Sequence, residues 1–235
     1  LSDGIQKSNK IREGLQDCVV IEEYEEYDEV LMRVSFKGNA SMKNVKDFRD
    51  WGKTWYEIGR GVAIANGATP EDVKIIGATR GSVIIELALI AGIAKIVSKI
   101  ILDGLKVAEK VLDIRIKAQE LKNLKLQNEK LAIELDNEAN IEKEAGVKII
   151  LDAQIKSLKL KKKSDGDKIN ALEKSIKNLV NFIESGGEVD FILPEEEIDD
   201  DKNKNPNYEE LRVTFQEIRM LEEKVKLIEE KISIE

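Results

Sequence analysis

The chain contains 235 residues, carries 38 basic and 46 acidic side chains for a net charge of −8, and has no histidine and one cysteine, Cys18. These counts exclude an imidazole base, a Ser-His-Asp or Cys-His pair, an internal disulfide and a zinc site made of several Cys or His ligands. We therefore expect no enzyme activity, no cofactor and no metal. Because the chain cannot form an internal disulfide, the sequence favours a cytoplasmic protein.

The N-terminal segment, residues 1–17, has no apolar run as long as a signal peptide requires. The chain starts with Leu1 rather than methionine, which indicates a processed chain or a piece of a longer one.

Two runs near the N terminus, Cys18–Glu23 and Val30–Phe36, are rich in β-branched and apolar residues and predict strands. A helix follows, and Ser41 occupies the position expected for its N-cap. The apolar side chains of this helix recur every three or four residues and so share one face: Phe48, Trp51, Trp55, Ile58, Val62 and Ala65. We expect both tryptophans to pack in the core, although a ligand groove is an alternative.

The next segment has the residues of a short helical turn followed by a hairpin. Thr69 precedes Pro70 and two acidic residues, a pattern that starts helical turns. Val73–Ala78 and Ser82–Leu89 are apolar runs separated by a glycine-containing gap. Residues 18–90 are thus predicted to form a small α+β domain in the order strand–strand–helix–strand–strand.

From Ala91 the apolar residues recur with a helical period, and residues 91–185 are predicted to form a long helical hairpin. The first helix extends in this prediction to about residue 145, the second covers Ala145–Lys163, and the third has apolar positions from Ile169 to Ile183. A helix of about 50 residues would be about 75 Å long, so it must pack on a partner helix or project outward.

Residues 186–207 are predicted to contain a strand, Glu188–Leu193, which could add an edge to the N-terminal sheet, and then an acidic linker. Residues 208–235 are predicted to form a coiled-coil helix capped by Asn207. Its heptad supplies the candidate interface residues Leu211, Ile218, Leu221, Val225, Ile228 and Ile232. These residues are expected to pair with Ile93–Leu135 in the same chain or with other subunits.

The predicted fold class is therefore α+β, with a small strand–strand–helix–strand–strand domain followed by a long helical hairpin and coiled-coil region. Amphipathic helices of this length favour a non-enzymatic structural or assembly module. Such a module would self-associate or dock other protein subunits within a larger bacterial or viral multiprotein system.

A membrane-docked or membrane-inserting effector is the first alternative, because residues 83–112 form a long apolar segment. The segment includes Glu86, Lys95 and Lys99, and each charge costs about 2.5–3.5 kcal/mol near a bilayer centre. An in-plane helix with its lysines directed toward lipid headgroups avoids that penalty.

A nucleic-acid-contacting protein is the second alternative, and it rests on the lysine-rich helix at residues 148–163. This stretch has no aromatic residues between its lysines, and the whole chain is acidic, so the sequence disfavours nucleic acid as a partner. Lysines at the end of a helix also complement the helix dipole without any ligand.

One acidic stretch weakly resembles a calcium-binding loop. Oxygen-bearing side chains occupy the spacing of such a loop at Asp199, Asp201, Asn203, Asn207 and Glu210. The sixth position is Lys204, where an EF-hand loop requires glycine, and Pro206 is a further departure. A solvated linker is the preferred interpretation.

Overall fold

A four-stranded antiparallel sheet forms the centre of the protein, seen in a computed structural model that describes residues 29–79, 83–123, 129–194 and 206–234. Its strands lie in the order β2-β3-β1-β4. They are β1 (Val30–Ser35), β2 (Val73–Thr79), β3 (Ile84–Leu89) and β4 (Glu188–Ile192). The predicted α+β class is confirmed. The predicted strand Cys18–Glu23 lies outside the described residues.

Five helices are described around this sheet. They are α1 (Val45–Ala65), α2 (Ala91–Asn123), α3 (Glu129–Ser157), α4 (Gly166–Glu184) and α5 (Pro206–Ile234). Two short 3-10 turns, Gly38–Ala40 and Pro70–Asp72, precede α1 and β2. The second turn is the one that the Thr69-Pro70 pattern predicted.

The sheet buries one face of β1, because alternate side chains of a strand point to opposite sides. Val30, Met32 and Val34 are at most 2% exposed and face the helices. β4 pairs with β1 in antiparallel register, with Met32 opposite Phe191. The prediction that residues 188–193 add an edge to the N-terminal sheet is thus confirmed.

The first helix begins later than predicted. Its N-cap is Asn44 rather than Ser41, because the Asn44 carboxamide oxygen accepts hydrogen bonds from the backbone N–H groups of Lys46 and Asp47 at 2.9 and 3.1 Å. The predicted apolar face is also only partly buried. Trp55 is 9% exposed, but Phe48, two turns closer to the N terminus, is 60% exposed.

The helical region after residue 91 is divided differently from the prediction. A helix boundary at Ala145 is wrong, because α3 runs continuously from Glu129 to Ser157. α2 and α3 pack as an antiparallel hairpin in which Lys110 pairs with Glu142 at 3.3 Å.

The predicted cap of the last helix is wrong as well, since α5 begins at Pro206 and Asn207 is already helical. Proline suits a first helical position because the N–H it lacks has no intrahelical partner there.

An aromatic cluster joins the end of β1 to α1 and α4. Phe36 and Phe182 have ring centroids 5.3 Å apart, and Trp51 and Trp55 lie 5.3 and 5.1 Å from Phe182 in edge-to-face geometry. Such pairs contribute about 0.5–1.5 kcal/mol each beyond the area that they bury. Both tryptophans therefore belong to the packed core.

α1 and α4 approach closely at Gly61. The Ser175 hydroxyl, on α4, donates a hydrogen bond of 2.8 Å to the Ile58 carbonyl oxygen. A methyl group at Gly61 would come closer than 3.0 Å to the Ala171 carbonyl oxygen and the Ser175 Cβ. Glycine is required here by the distance between the two helices.

Substituting two glycines of α1 is expected to have opposite effects. We expect Gly61→Ala to reduce the free energy of unfolding by about 1–3 kcal/mol, because the added methyl group overpacks the contact with α4. Gly52→Ala has no heavy atom within 4 Å of the new methyl group, so it is expected to raise the free energy of unfolding by about 0.5–1 kcal/mol. Urea denaturation of both variants measures the difference. Equal effects at the two positions would contradict the close approach of α1 and α4.

Candidate functional site

The outer edge of β4 is occupied by side chains of α5. The Glu222 carboxylate accepts a hydrogen bond of 2.8 Å from the Val189 N–H. The Arg219 guanidinium donates to the Phe191 carbonyl oxygen at 2.9 Å and to the Asp190 carboxylate at 2.8 Å. Since the other edge of β4 pairs with β1, these bonds satisfy backbone groups that would otherwise be open to another strand.

Apolar contacts hold α5 against the same strand and against α2. The rings of Phe191 and Phe215 are stacked, with centroids 4.6 Å apart and planes 9° apart. α5 runs parallel to α2, as the pairs Lys95–Glu210 at 2.6 Å and Lys224–Glu109 at 2.5 Å show. The buried side of α5, here called the inner seam, consists of Tyr208, Leu211, Phe215, Ile218, Val225 and Ile228.

Among the described titratable groups, Glu222 has the pKa that its surroundings shift most. Burial raises the pKa of its carboxyl to about 7, and the nearby carboxylates of Glu188 and Asp190 add to this rise. The hydrogen bond from Val189 and the charge of Lys37 both act to lower the pKa. A cavity of about 20 Å³ lies beside the carboxyl, lined also by Leu105. That volume holds about one water molecule. It is too small for a substrate.

The predicted interface residues are placed within the chain. Leu211, Ile218, Val225 and Ile228 are between 1% and 9% exposed and belong to the inner seam. Leu221 is half-buried against the same core. The side chain of Ile232 lies outside the described part. Of the two partners that the heptad allowed, the structure shows the one in the same chain.

A second apolar row on α5 was missed by the sequence analysis. Val213, Met220 and Leu227 are 55%, 63% and 61% exposed and lie on the side of α5 opposite the inner seam. We call these three residues the outer stripe. Their spacing of seven residues is the signal that could have identified them, but the stronger heptad of the inner seam concealed it.

The calcium-like loop is not assembled in the described residues. Asp199, Asp201 and Asn203 lie outside them, Asn207 is in the first turn of α5, and Glu210 pairs with Lys95. Within residues 29–79, 83–123, 129–194 and 206–234, no group of three or more Cys, Asp or Glu side chains is arranged to hold a metal ion.

The lysine-rich stretch is divided between a helix end and a turn. Its lysines are all exposed: Lys148, Lys156, Lys159, Lys161, Lys162 and Lys163. α3 ends at Ser157, and the turn is closed by the Asp165 carboxylate, which accepts a hydrogen bond of 2.8 Å from the Lys161 N–H. This bond lowers the pKa of the Asp165 carboxyl.

The apolar segment at residues 83–112 is divided between β3 and the first part of α2. Its large side chains belong to the core, with Ile93, Ile100 and Ile101 fully buried. Across the described stretches, no helix has both the length and the apolar character needed to cross a membrane.

Comparisons with protein-family models, with curated proteins and with solved structures give no match to this chain.

We expect the stability of the protein to depend on pH through Glu222. Because the pKa of Glu222 is higher in the folded state, its protonated carboxyl contributes to the free energy of unfolding. This contribution is fully present below pH 4.5 and is lost as the pH rises through about 7. Glu222→Gln should therefore raise the free energy of unfolding at pH 8 by about 1–3 kcal/mol and change it little at pH 5.

Urea denaturation at the two pH values tests this expectation, with Glu217→Gln as the control on an exposed position of the same helix. If Glu222→Gln and Glu217→Gln behave alike at pH 8, the carboxyl of Glu222 is not buried in the way the structure shows.

Proposed function

We propose that this protein is a non-enzymatic, cytoplasmic assembly module that associates with a second copy of itself through the outer stripe of α5. The observation that carries the proposal is the seven-residue spacing of Val213, Met220 and Leu227 on an exposed helix face. A helix with apolar residues on two opposite faces is typical of one that packs on both sides. The inner seam already has its partner in the core.

An antiparallel pair of α5 helices fits the stripe best. If Met220 lies on a two-fold axis, Val213 of each copy lies opposite Leu227 of the other, because both are seven residues from the axis. Glu217 and Lys224 lie beside the stripe, and antiparallel pairing brings Glu217 of each copy toward Lys224 of the other, which also pairs with Glu109 of its own chain.

Three exposed side chains bury only a modest area, so the association is expected to be weak and dependent on concentration. This suits a module that is held in a larger assembly by several contacts, because linked weak contacts reinforce one another. Other protein subunits remain the alternative partners for the same face.

We expect light scattering of concentrated protein to give a mass approaching twice 26.5 kDa. The double variant Met220→Asp and Leu227→Asp should reduce the mass to that of one copy, because a charged group would be desolvated in the contact. Both positions are more than 60% exposed, so the fold is expected to persist, which circular dichroism and the melting temperature verify.

Ile141→Asp is the matched control. Ile141 is 68% exposed on α3, so the substitution makes the same change of polarity on a different helix. It should leave the mass of the wild type unchanged. A single-copy mass for the wild type at every concentration would overturn the proposal, and so would equal masses for the wild type and the double variant.

A further inference from the structure

The turn between α3 and α4 carries a concentration of positive charge that the proposed function does not use. Residues 156–168 contain six lysines and two aspartates, a net charge of +4 in a chain whose net charge is −8. Five of these lysines are exposed, and we call them the lysine turn: Lys156, Lys159, Lys161, Lys162 and Lys163. None of the ion pairs among the described residues involves any of these five.

Backbone hydrogen bonds fix the shape of this turn. The Leu160 N–H donates to the Ile155 carbonyl oxygen at 3.0 Å. The Lys159 N–H donates to the Lys156 carbonyl oxygen at 3.2 Å. These two bonds define a Schellman motif, in which the residue just after the end of the helix is left-handed. Leu158 and Leu160 pack against the core, so the lysines between and after them face solvent.

Lys159 occupies the position of this motif at which glycine is most favourable. Its φ of 54° is the only positive φ among the described residues other than glycine. A β-carbon is strained in this region of backbone space, so Lys159 makes the turn less stable than glycine would. Strained residues of this kind cluster at functional sites. The Lys159 ammonium group pairs with no described residue, which points to a partner outside the chain.

The residue types of the lysine turn favour anionic lipid headgroups over nucleic acid as that partner. The turn contains no arginine, and it has no aromatic side chain that could stack on a base. An exposed turn also lacks the groove in which proteins hold a nucleic-acid strand. Clusters of about four to eight lysines bind anionic headgroups, because each charge near such a surface strengthens binding about fivefold.

We propose that the lysine turn docks the protein on a membrane surface rich in anionic lipid headgroups, without insertion into the bilayer. The exposed side chains of residues 156–163 are five lysines and one serine, so the attraction is electrostatic. Lysine suits this role because its ammonium group needs no fixed geometry to be attracted by a charged surface. The excess of acidic groups elsewhere in the chain is repelled by the same surface, so the protein approaches it with this end first.

Two acidic side chains beside the lysine turn oppose the attraction. Asp167 is exposed in the first turn of α4. The Asp165 carboxylate, in contrast, accepts hydrogen bonds from the Lys161 N–H at 2.8 Å and from the Ser164 hydroxyl at 3.2 Å. It therefore closes the turn, and the lysines remain in excess on the exposed side.

Sedimentation with lipid vesicles tests the proposal on the full chain. The wild type should pellet with vesicles of phosphatidylcholine and phosphatidylserine and should stay in solution with vesicles of phosphatidylcholine alone. At about 1 M salt the binding should be lost, because the Debye length falls to about 3 Å. The triple variant Lys161→Gln, Lys162→Gln and Lys163→Gln should bind the anionic vesicles about 100-fold more weakly, since each lysine contributes about fivefold.

The triple variant Lys43→Gln, Lys46→Gln and Lys53→Gln is the matched control. These lysines are exposed in α1 and just before it, and their loss changes the net charge by the same amount. The control should bind the anionic vesicles as the wild type does. Circular dichroism verifies that both triple variants are folded.

A single substitution separates the strain at Lys159 from its proposed role. Lys159→Gly removes the strain, so the melting temperature should rise by about 2–4 °C. It also removes one charge, so binding to the anionic vesicles should weaken about fivefold. Unchanged binding in both this variant and the Lys161–Lys163 triple variant would overturn the proposal.

Other outcomes would overturn it as well. One is failure of the wild type to pellet with the anionic vesicles, and another is an equal loss of binding in the two triple variants. If the wild type binds duplex DNA more tightly than the anionic vesicles, and the Lys161–Lys163 variant loses this binding, the partner is nucleic acid instead. Light scattering of that variant should give the mass of the wild type, so these outcomes are independent of association through the outer stripe.

Discussion

The antiparallel pairing of β1 with β4 is the contact on which the position of every later helix depends. β1 is an inner strand, and its partner β4 follows it only after four helices and two other strands. Because the chain must return to β1, α4 ends beside the end of β1, where the Ala40 N–H donates a hydrogen bond of 2.8 Å to the Ser185 carbonyl oxygen. The helices α2, α3 and α4 form an excursion that begins and ends at this sheet.

The same pairing leaves the second edge of β4 to α5. A helix cannot continue a sheet, so α5 satisfies the edge through side chains: the Glu222 carboxylate and the Arg219 guanidinium replace the backbone groups that a strand would supply. The consequence is a buried carboxyl with a pKa raised to about 7. A second consequence is that α5 has its inner seam fixed in the core, so that only its other face is available for association.

The main elements follow from the sequence because their patterns are local. The alternation in β1 and the three- and four-residue spacing in α1 identify a strand and a helix without knowledge of their partners. The α+β class and the return of residues 188–193 to the sheet were predictable in this way. The partner of the heptad in α5 could not be predicted from the sequence, because the same apolar spacing suits packing on a helix of the same chain or of another one.

Other features depend on contacts between distant residues and were not predictable. The start of α1 depends on whether Ser41 or Asn44 folds back onto the helix, and both residue types form caps. The raised pKa of Glu222 requires that its helix lie on β4, which nothing in the local sequence indicates. The outer stripe was within reach of sequence analysis, but three apolar residues seven positions apart are a weak pattern beside the inner seam.

Sedimentation equilibrium of the unmodified chain over a wide range of concentration tests the central claim most directly, namely that one face of α5 folds inward and the other associates. The account predicts a mass of 26.5 kDa at low concentration and a rise toward twice that value as the concentration increases. A mass of 26.5 kDa throughout the range would contradict it, because the outer stripe would then remain exposed without binding a second copy.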